Sequence, residues 1–137
     1  MEVIFYELDE IKDELLEYAV IVSKYEDKWV FCKNKTRKWE LPGGRREKGE
    51  AILDTAKREL FEETGAKKFK IIPLCAYSIN SYGLLYYAEI EEFGSLPDSE
   101  IEKIGFFTDL PEELSFPLYH SKHFAKAKSY LNKQIIL

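Results

Sequence analysis

Cysteine, histidine and long apolar runs are all scarce in this chain. Cys32 and Cys75 are the only cysteines among 137 residues. They stand in apolar, strand-like runs without CxxC spacing, which argues against a disulfide framework or a thiolate metal site and predicts two buried free thiols. No apolar run approaches the roughly 20 residues that span a bilayer. The first residues, MEVIFYELDEIKDELLEY, are acidic and lack the basic and apolar parts of a secretion signal. These absences together predict a cytoplasmic protein with no membrane partner. His120 and His123 are the only histidines, an i,i+3 pair too small for a zinc site, and surface or capping roles are expected for both. Positive charge is not in surplus: the formal net charge is −5, so the surface as a whole does not attract polyanions. With no repeat, low-complexity tract or long linker, residues 1–137 read as one domain, large enough for a core without staples.

What is present is unevenly placed. Aromatic residues make up 15% of the chain, which suits sheets and could supply base-stacking surfaces. Lys33 to Lys48 holds seven basic residues against two acids, and Glu50 to Glu63 then holds five acids against two bases. A basic segment running into an acidic one suits a phosphate ligand bridged by a cation, with Arg45 and Arg46 as candidate substrate contacts. Tyr18–Val22 and Trp29–Cys32 read as strands of a hairpin turning over Ser23–Lys28. Trp39–Leu41 is a short strand stopped by Pro42 and the Gly43-Gly44 pair. Ala51–Thr64 is the strongest helix, with Leu53, Ala56 and Leu60 at helical spacing and Gly65 as its C-terminal cap. Strands follow over Lys68–Ser78 (interrupted by Pro73), Gly83–Ile90 and Glu100–Phe107, and Lys122–Asn132 closes the chain as an amphipathic helix. The order predicts an α+β or layered α/β/α domain with a mixed sheet.

The Ala51–Thr64 helix violates local rules. At about 100° per residue, Glu59, Glu62 and Glu63 fall within an arc of roughly 100°. Each like-charge pair costs a few tenths of a kcal/mol in an isolated helix, and Glu62 and Glu63 lie near the C-terminus, where the helix dipole disfavours anions. Such violations tend to mark functional sites. Carboxylate oxygens are hard ligands suited to Mg²⁺ or Mn²⁺. Arg58 can hold a carboxylate bidentately, and Gly43 and Gly44 let the backbone approach the helix closely.

Gly44, Glu50, Arg58, Glu59, Leu60, Glu62, Glu63 and Gly65 occur at the spacing G-x5-E-x7-R-E-U-x-E-E-x-G-U, where U is bulky and aliphatic. This segment, residues 44–66, resembles the Nudix box, and only Ala66 departs from it, being small at the last aliphatic position. The preceding WELPGG also looks like the usual entry to the box. The compact length, WELPGGRRE and the GFFTDLPEELSFP segment are similar to the MutT-type and Gram-positive RNA-pyrophosphohydrolase-type branches.

The resemblance implies an α/β/α sandwich with a mixed sheet between helices, and metal-dependent hydrolysis of a nucleoside diphosphate linked to another group. It implies Glu59, Glu62, Glu63 and the Gly43 carbonyl as ligands of Mg²⁺ or Mn²⁺, Arg58 and Glu50 as orienting residues, and Glu59 as the acceptor of the water proton. A further acid from outside the box is expected at Glu100, with Glu102 and Asp98 behind it. In MutT-like enzymes a polar side chain near the start of the last helix reads the purine edge, and His120 falls at a comparable place. Tyr82, Tyr86 and Tyr87 are candidates for the base pocket. The expected substrate is a nucleoside triphosphate, with an oxidised purine such as 8-oxo-dGTP leading, cut to a nucleoside monophosphate and pyrophosphate. The alternatives are a triphosphorylated RNA 5′ end, which the basic segment would favour, and a non-catalytic nucleotide-binding regulator.

Overall fold

The sheet is organised around one strand whose outer edge is shared by two partners. In the computed structural model, which describes residues 2–97 and 100–133, β2 (Leu16–Tyr25) pairs in parallel with β7 (Ser81–Phe93) along most of its length. On its other edge, Tyr18–Val20 pair with β5 (Gly43–Arg45), while Ser23–Tyr25 pair with β3 (Lys28–Asn34). Beyond β7 lie β6 (Ala66–Ile79) and β1 (Ile4–Tyr6); beyond β3 lie β4 (Trp39–Glu40) and β8 (Ile101–Phe107). All these other pairings are antiparallel, so the eight-stranded sheet is mixed.

Period-two alternation along β2 sends side chains to opposite faces. Ala19 and Ile21 pack against Ala56 and Leu60 of α1 (Ile52–Thr64), whereas Val20 and Val22 join Phe124 and Ala127 of α2 (Pro117–Lys133). One helix covers each face, giving the α/β/α sandwich expected. Cys32 and Cys75 are buried thiols that form no disulfide among the described residues, as their contexts indicate, and burial pushes the Cys75 thiol up to about 11.

Several boundaries differ for physical reasons. The first hairpin turns on Glu26 and Asp27 alone, at φ 48° and 67°, because Ser23 and Lys24 are held in the ladder by both β3 and β7. Residues Gly43–Arg45, expected only as a turn, form a strand because β2 offers them an open edge. Pro73 does not interrupt its strand; it is exposed, and a register shift between Pro73 and Cys75 absorbs the missing donor. The apolar phase of α1 runs through Ile52, Ala56 and Leu60, and Leu53 is exposed. Gly65 takes the left-handed cap conformation (φ 80°) and donates its N–H to the Phe61 carbonyl at 2.8 Å. Ala66 is fully buried at the start of β6, so the small residue is part of the core. The last helix begins at Pro117, earlier than the expected Lys122, since proline suits the first helical turn. That shift places both histidines in the helix interior, with 4% exposure for His120 and none for His123, contrary to the surface roles expected.

Candidate active site

The acidic stretch of α1 owes its order to one guanidinium. Arg58 forks onto Glu50, Nε donating to one oxygen at 2.8 Å and an Nη to the other at 3.0 Å. Its second Nη donates to Glu59 and to Glu62, each at 3.2 Å, and the first also reaches the Arg45 carbonyl at 3.0 Å. Glu47 lies 3.7 Å away on the same group. One positive charge thus faces the carboxylates of Glu47, Glu50, Glu59 and Glu62, an excess of anion that a cation would offset.

Glu50 is locked in place. Besides the Arg58 fork it accepts the Thr55 hydroxyl at 2.7 Å and the Glu47 N–H at 3.1 Å. Arg58 first, with those donors adding to it, holds its carboxyl at about 2, against a normal 4.5. Glu50 is therefore a poor proton acceptor at neutral pH and suits an orienting role. The same pair raises the Arg58 pKa, chiefly through the hydrogen bond to Glu50.

Glu59 and Glu63 turn toward the glycines. The Gly43 N–H donates to Glu63 at 2.8 Å. A Cβ at Gly44 would overlap the Glu59 carboxylate, Oε2 foremost. Absence of a side chain is what lets β5 lie this close to α1. Among the described residues no three His, Cys, Asp or Glu side chains are pre-assembled around one point; Glu59 and Glu62 each give Oε1 to Arg58.

A cleft of about 600 Å³ opens on the other side of the same glycines, against the first turns of α2. Its lining includes Tyr18, Val20, Phe116 and Tyr119 together with Gly43 and Gly44. His120 lines it too. The Leu41 N–H donates to His120 Nδ1 at 3.4 Å, so the neutral ring carries its proton on Nε2, a buried atom with no partner among the described residues. Burial pushes His120 down to about 4, and the nearby Glu40 charge only partly offsets this.

The remaining expected residues are dispersed. Arg46 is spent on the fold, donating to the Glu50 carbonyl at 2.6 Å, to the Asp13 and Leu16 carbonyls, and to the Asp13 carboxylate at 3.0 Å. Arg45 is exposed, its guanidinium 5.8 Å from the ring of Tyr18, which lines the cleft. Tyr82 packs edge-on against Tyr6 by the α1-facing core and is not in the cleft lining, nor are the buried Tyr86 and Tyr87. Glu100 is exposed; its charge, with those of Glu40 and Glu63, acts on Arg37, whose pKa is raised first by its hydrogen bond to Glu40. Arg37 thus feels the charges of both Glu40, in the cleft lining, and Glu63. Glu102 pairs with Lys33 at 2.9 Å on the surface, and Asp98 lies outside the described residues.

Sequence reasoning overlooked Thr55, Arg37 and Glu40. The Thr55 hydroxyl sits at i+5 from Glu50, a local signal that was available. Arg37 and Glu40 had no local signal pointing to a cleft, since its far wall comes from α2.

Fold and site together define a layered α/β/α domain with a glycine-edged acidic helix beside an apolar cleft. Residues 16–130 match the NUDIX domain family. The chain belongs to the Nudix family of hydrolases, whose members generally use divalent metal ions. It is 31% identical over 105 residues to a Bacillus subtilis (strain 168) protein, YtkD, named as a candidate 8-oxo-dGTP diphosphatase. That match covers 72% of this chain and 66%, just under two thirds, of YtkD. A 29-residue stretch is 66% identical to the Mus musculus protein nucleoside diphosphate-linked moiety X motif 6, covering 21% of this chain and 9% of that one. The fold matches a crystal structure of a mutant of the Bacillus subtilis pyrophosphohydrolase BsRppH, with a TM-score of 0.78 and 24% identity over 93% of this chain and 90% of that one. Among the described residues no helix is long and apolar enough to cross a membrane.

Proposed function

We propose that this chain hydrolyses a nucleoside triphosphate at the pyrophosphate linkage, with Mg²⁺ or Mn²⁺, giving a nucleoside monophosphate and pyrophosphate. One observation carries the reading: the apolar cleft and the acid cluster meet at Gly43–Gly44, which line the cleft on one side and touch Glu63 and Glu59 on the other. A base in the cleft leaves its phosphates at the carboxylates.

The donor set fits a divalent ion: Glu59, Glu62 and Glu63 offer hard oxygens, and the surplus negative charge around Arg58 favours a cation. Glu59, Glu62, Glu63 and the Gly43 carbonyl would hold it, with Glu100 as the outlying acid. When bound, such an ion neutralises pyrophosphate and lowers the pKa of an attacking water. Glu59 is the proton acceptor in this reading, its Oε2 lying at the glycine turn. Arg58 and Glu50 fix its rotamer without exchanging protons. Tyr18 and Tyr119 flank the base, and His120 lines the same cleft. The likeness to YtkD supports an oxidised purine such as 8-oxo-dGTP as substrate.

The basic segment supports an RNA 5′ end less than its composition suggests, because Lys33, Arg37 and Arg46 are paired with Glu102, Glu40 and Asp13. The test is a nucleotide panel with pyrophosphate and phosphate detected separately, set against a triphosphate oligonucleotide at fixed salt. Pyrophosphate release from free nucleotides is expected; release from the oligonucleotide alone would move the assignment to RNA. No turnover of any nucleoside diphosphate-linked compound would leave a non-catalytic binding protein.

A further inference from the structure

The cleft is largely apolar, and the polar side chains in its lining are Tyr18, Tyr119, His120 and Glu40. His120 lines the cleft, but its Nε2 is a buried atom shielded from the cleft. Glu40, at the end of β4, supplies only acceptors. The Glu40 side chain is 15% exposed, and Arg37 holds it from the solvent side: Nε donates to Oε2 at 2.5 Å and an Nη to Oε1 at 3.4 Å. Arg37, itself 49% exposed, also lies 5.9 Å from the ring of Phe116, which lines the cleft too. Each Glu40 oxygen keeps a further lone pair, so the carboxylate is held in orientation by Arg37 and still has acceptor capacity.

We infer that Glu40 is a specificity-determining residue that selects a guanine-type base, accepting from the ring N1–H and the exocyclic 2-amino group. The inference rests on the nucleotide reading above. An acceptor-only carboxylate takes two parallel N–H bonds, and among the common bases only guanine offers two adjacent donors beside a carbonyl. Adenine and hypoxanthine each offer one donor on that edge. In this reading the base lies against Glu40 and the triphosphate runs to Gly43–Gly44, where the acids that would hold the divalent ion lie. Oxidation at C8 leaves the edge facing Glu40 unaltered, so Glu40 reads intact and oxidised guanine alike.

The test compares kcat/KM for dGTP, dITP, dATP and 8-oxo-dGTP at fixed Mg²⁺ and pH, in the wild type and in Glu40→Gln. The 2-amino contact to a charged acceptor predicts a dGTP over dITP preference of about tenfold or more. In Glu40→Gln that ratio falls toward unity, and dGTP and 8-oxo-dGTP lose activity by the same factor. No preference for dGTP over dITP in the wild type, or an unchanged ratio in the folded variant, overturns the inference. Should no nucleotide be turned over, the hydrolase reading fails, and calorimetric binding of dGMP and dIMP then decides Glu40 separately. Tighter dGMP binding that Glu40→Gln abolishes supports the role, and equal binding removes it. If Glu40→Gln does not fold, the wild-type dGMP and dIMP comparison still decides.

Discussion

Replacing Arg58 by lysine keeps the charge and removes the fork, which separates geometry from electrostatics. Arg58 makes five contacts of 2.8–3.2 Å: two to Glu50 and one each to Glu59, Glu62 and the Arg45 carbonyl. A lysine ammonium presents its donors from a single point and cannot reproduce the bidentate pair. Losing one of the two bonds to Glu50 and the bond to Arg45, at ~1.5–3 kcal/mol for a hydrogen bond to or from a charged group, sets an upper range. Because the side chain is 24% exposed, water replaces part of what is lost, and a net cost of about 2–4 kcal/mol is expected in urea unfolding at pH 7 without metal.

The pH dependence has a definite sign. Glu50 is depressed to about 2 from 4.5, mainly by Arg58. Its contribution is therefore fully present above about pH 4.5 and is lost as pH falls through about 2. Lysine should let that carboxyl rise toward its ordinary value, so the stability gap between wild type and Arg58→Lys is wide at pH 7 and narrows between 4.5 and 2. Turnover should drop tenfold or more, because Glu59 and Glu62 lose their common anchor. A variant within about 0.5 kcal/mol of wild type at pH 7 would refute the reasoning, as would a gap that stays constant down to pH 3.

Four other outcomes are expected. Glu62→Gln should reduce Mg²⁺-supported turnover by orders of magnitude, yet shift urea stability by no more than about 0.5 kcal/mol, since the side chain is 41% exposed; a fully active variant would remove Glu62 from the metal site. Gly44→Ala places a methyl on the Glu59 carboxylate. The flexible side chain can swing away, so the thermal midpoint should hardly move while activity falls about a hundredfold, and retained activity would show that Glu59 does not work from its position at Gly44. Gly65→Ala forces a side chain into φ 80° and against the Gly94 carbonyl at 2.9 Å, predicting a loss of about 1–2 kcal/mol in equilibrium unfolding; a neutral result would contradict the cap. His120 and His123 are both held near 4, by burial, against 6.5. These folded-state values are depressed, so the neutral rings stabilise the fold above 6.5 and that contribution is lost as pH falls from 6.5 toward 4. The slope should reach roughly 3 kcal/mol per pH unit for two such groups, and a flat stability profile across that window would show that the rings are not buried neutral.

Legibility in the sequence followed the distance over which each feature is encoded. The C-terminal cap at Gly65 depends on a neighbour four residues away, and Glu50, Arg58, Glu59 and Glu62 sit within one loop and helix. Such features leave a local signature of spacing and turn chemistry. The structural pairing of Arg46 is not legible, because its partner Asp13 is 33 residues away and nothing local distinguishes its charge from one free for phosphate. The burial of the histidines is not legible either, because it comes from strands distant in the chain: His123 packs against Phe5 and Tyr77.

By itself, then, the sequence determined the acidic helix, its glycine turn and the residues that crowd there, because helical geometry places Glu59, Glu62 and Glu63 on one arc regardless of the rest of the chain. Only the tertiary structure decided what lies beside them. The forked edge of β2 sets Gly43–Gly44 between α1 and the first turns of α2, and that long-range pairing creates the cleft in which Glu40 and His120 meet.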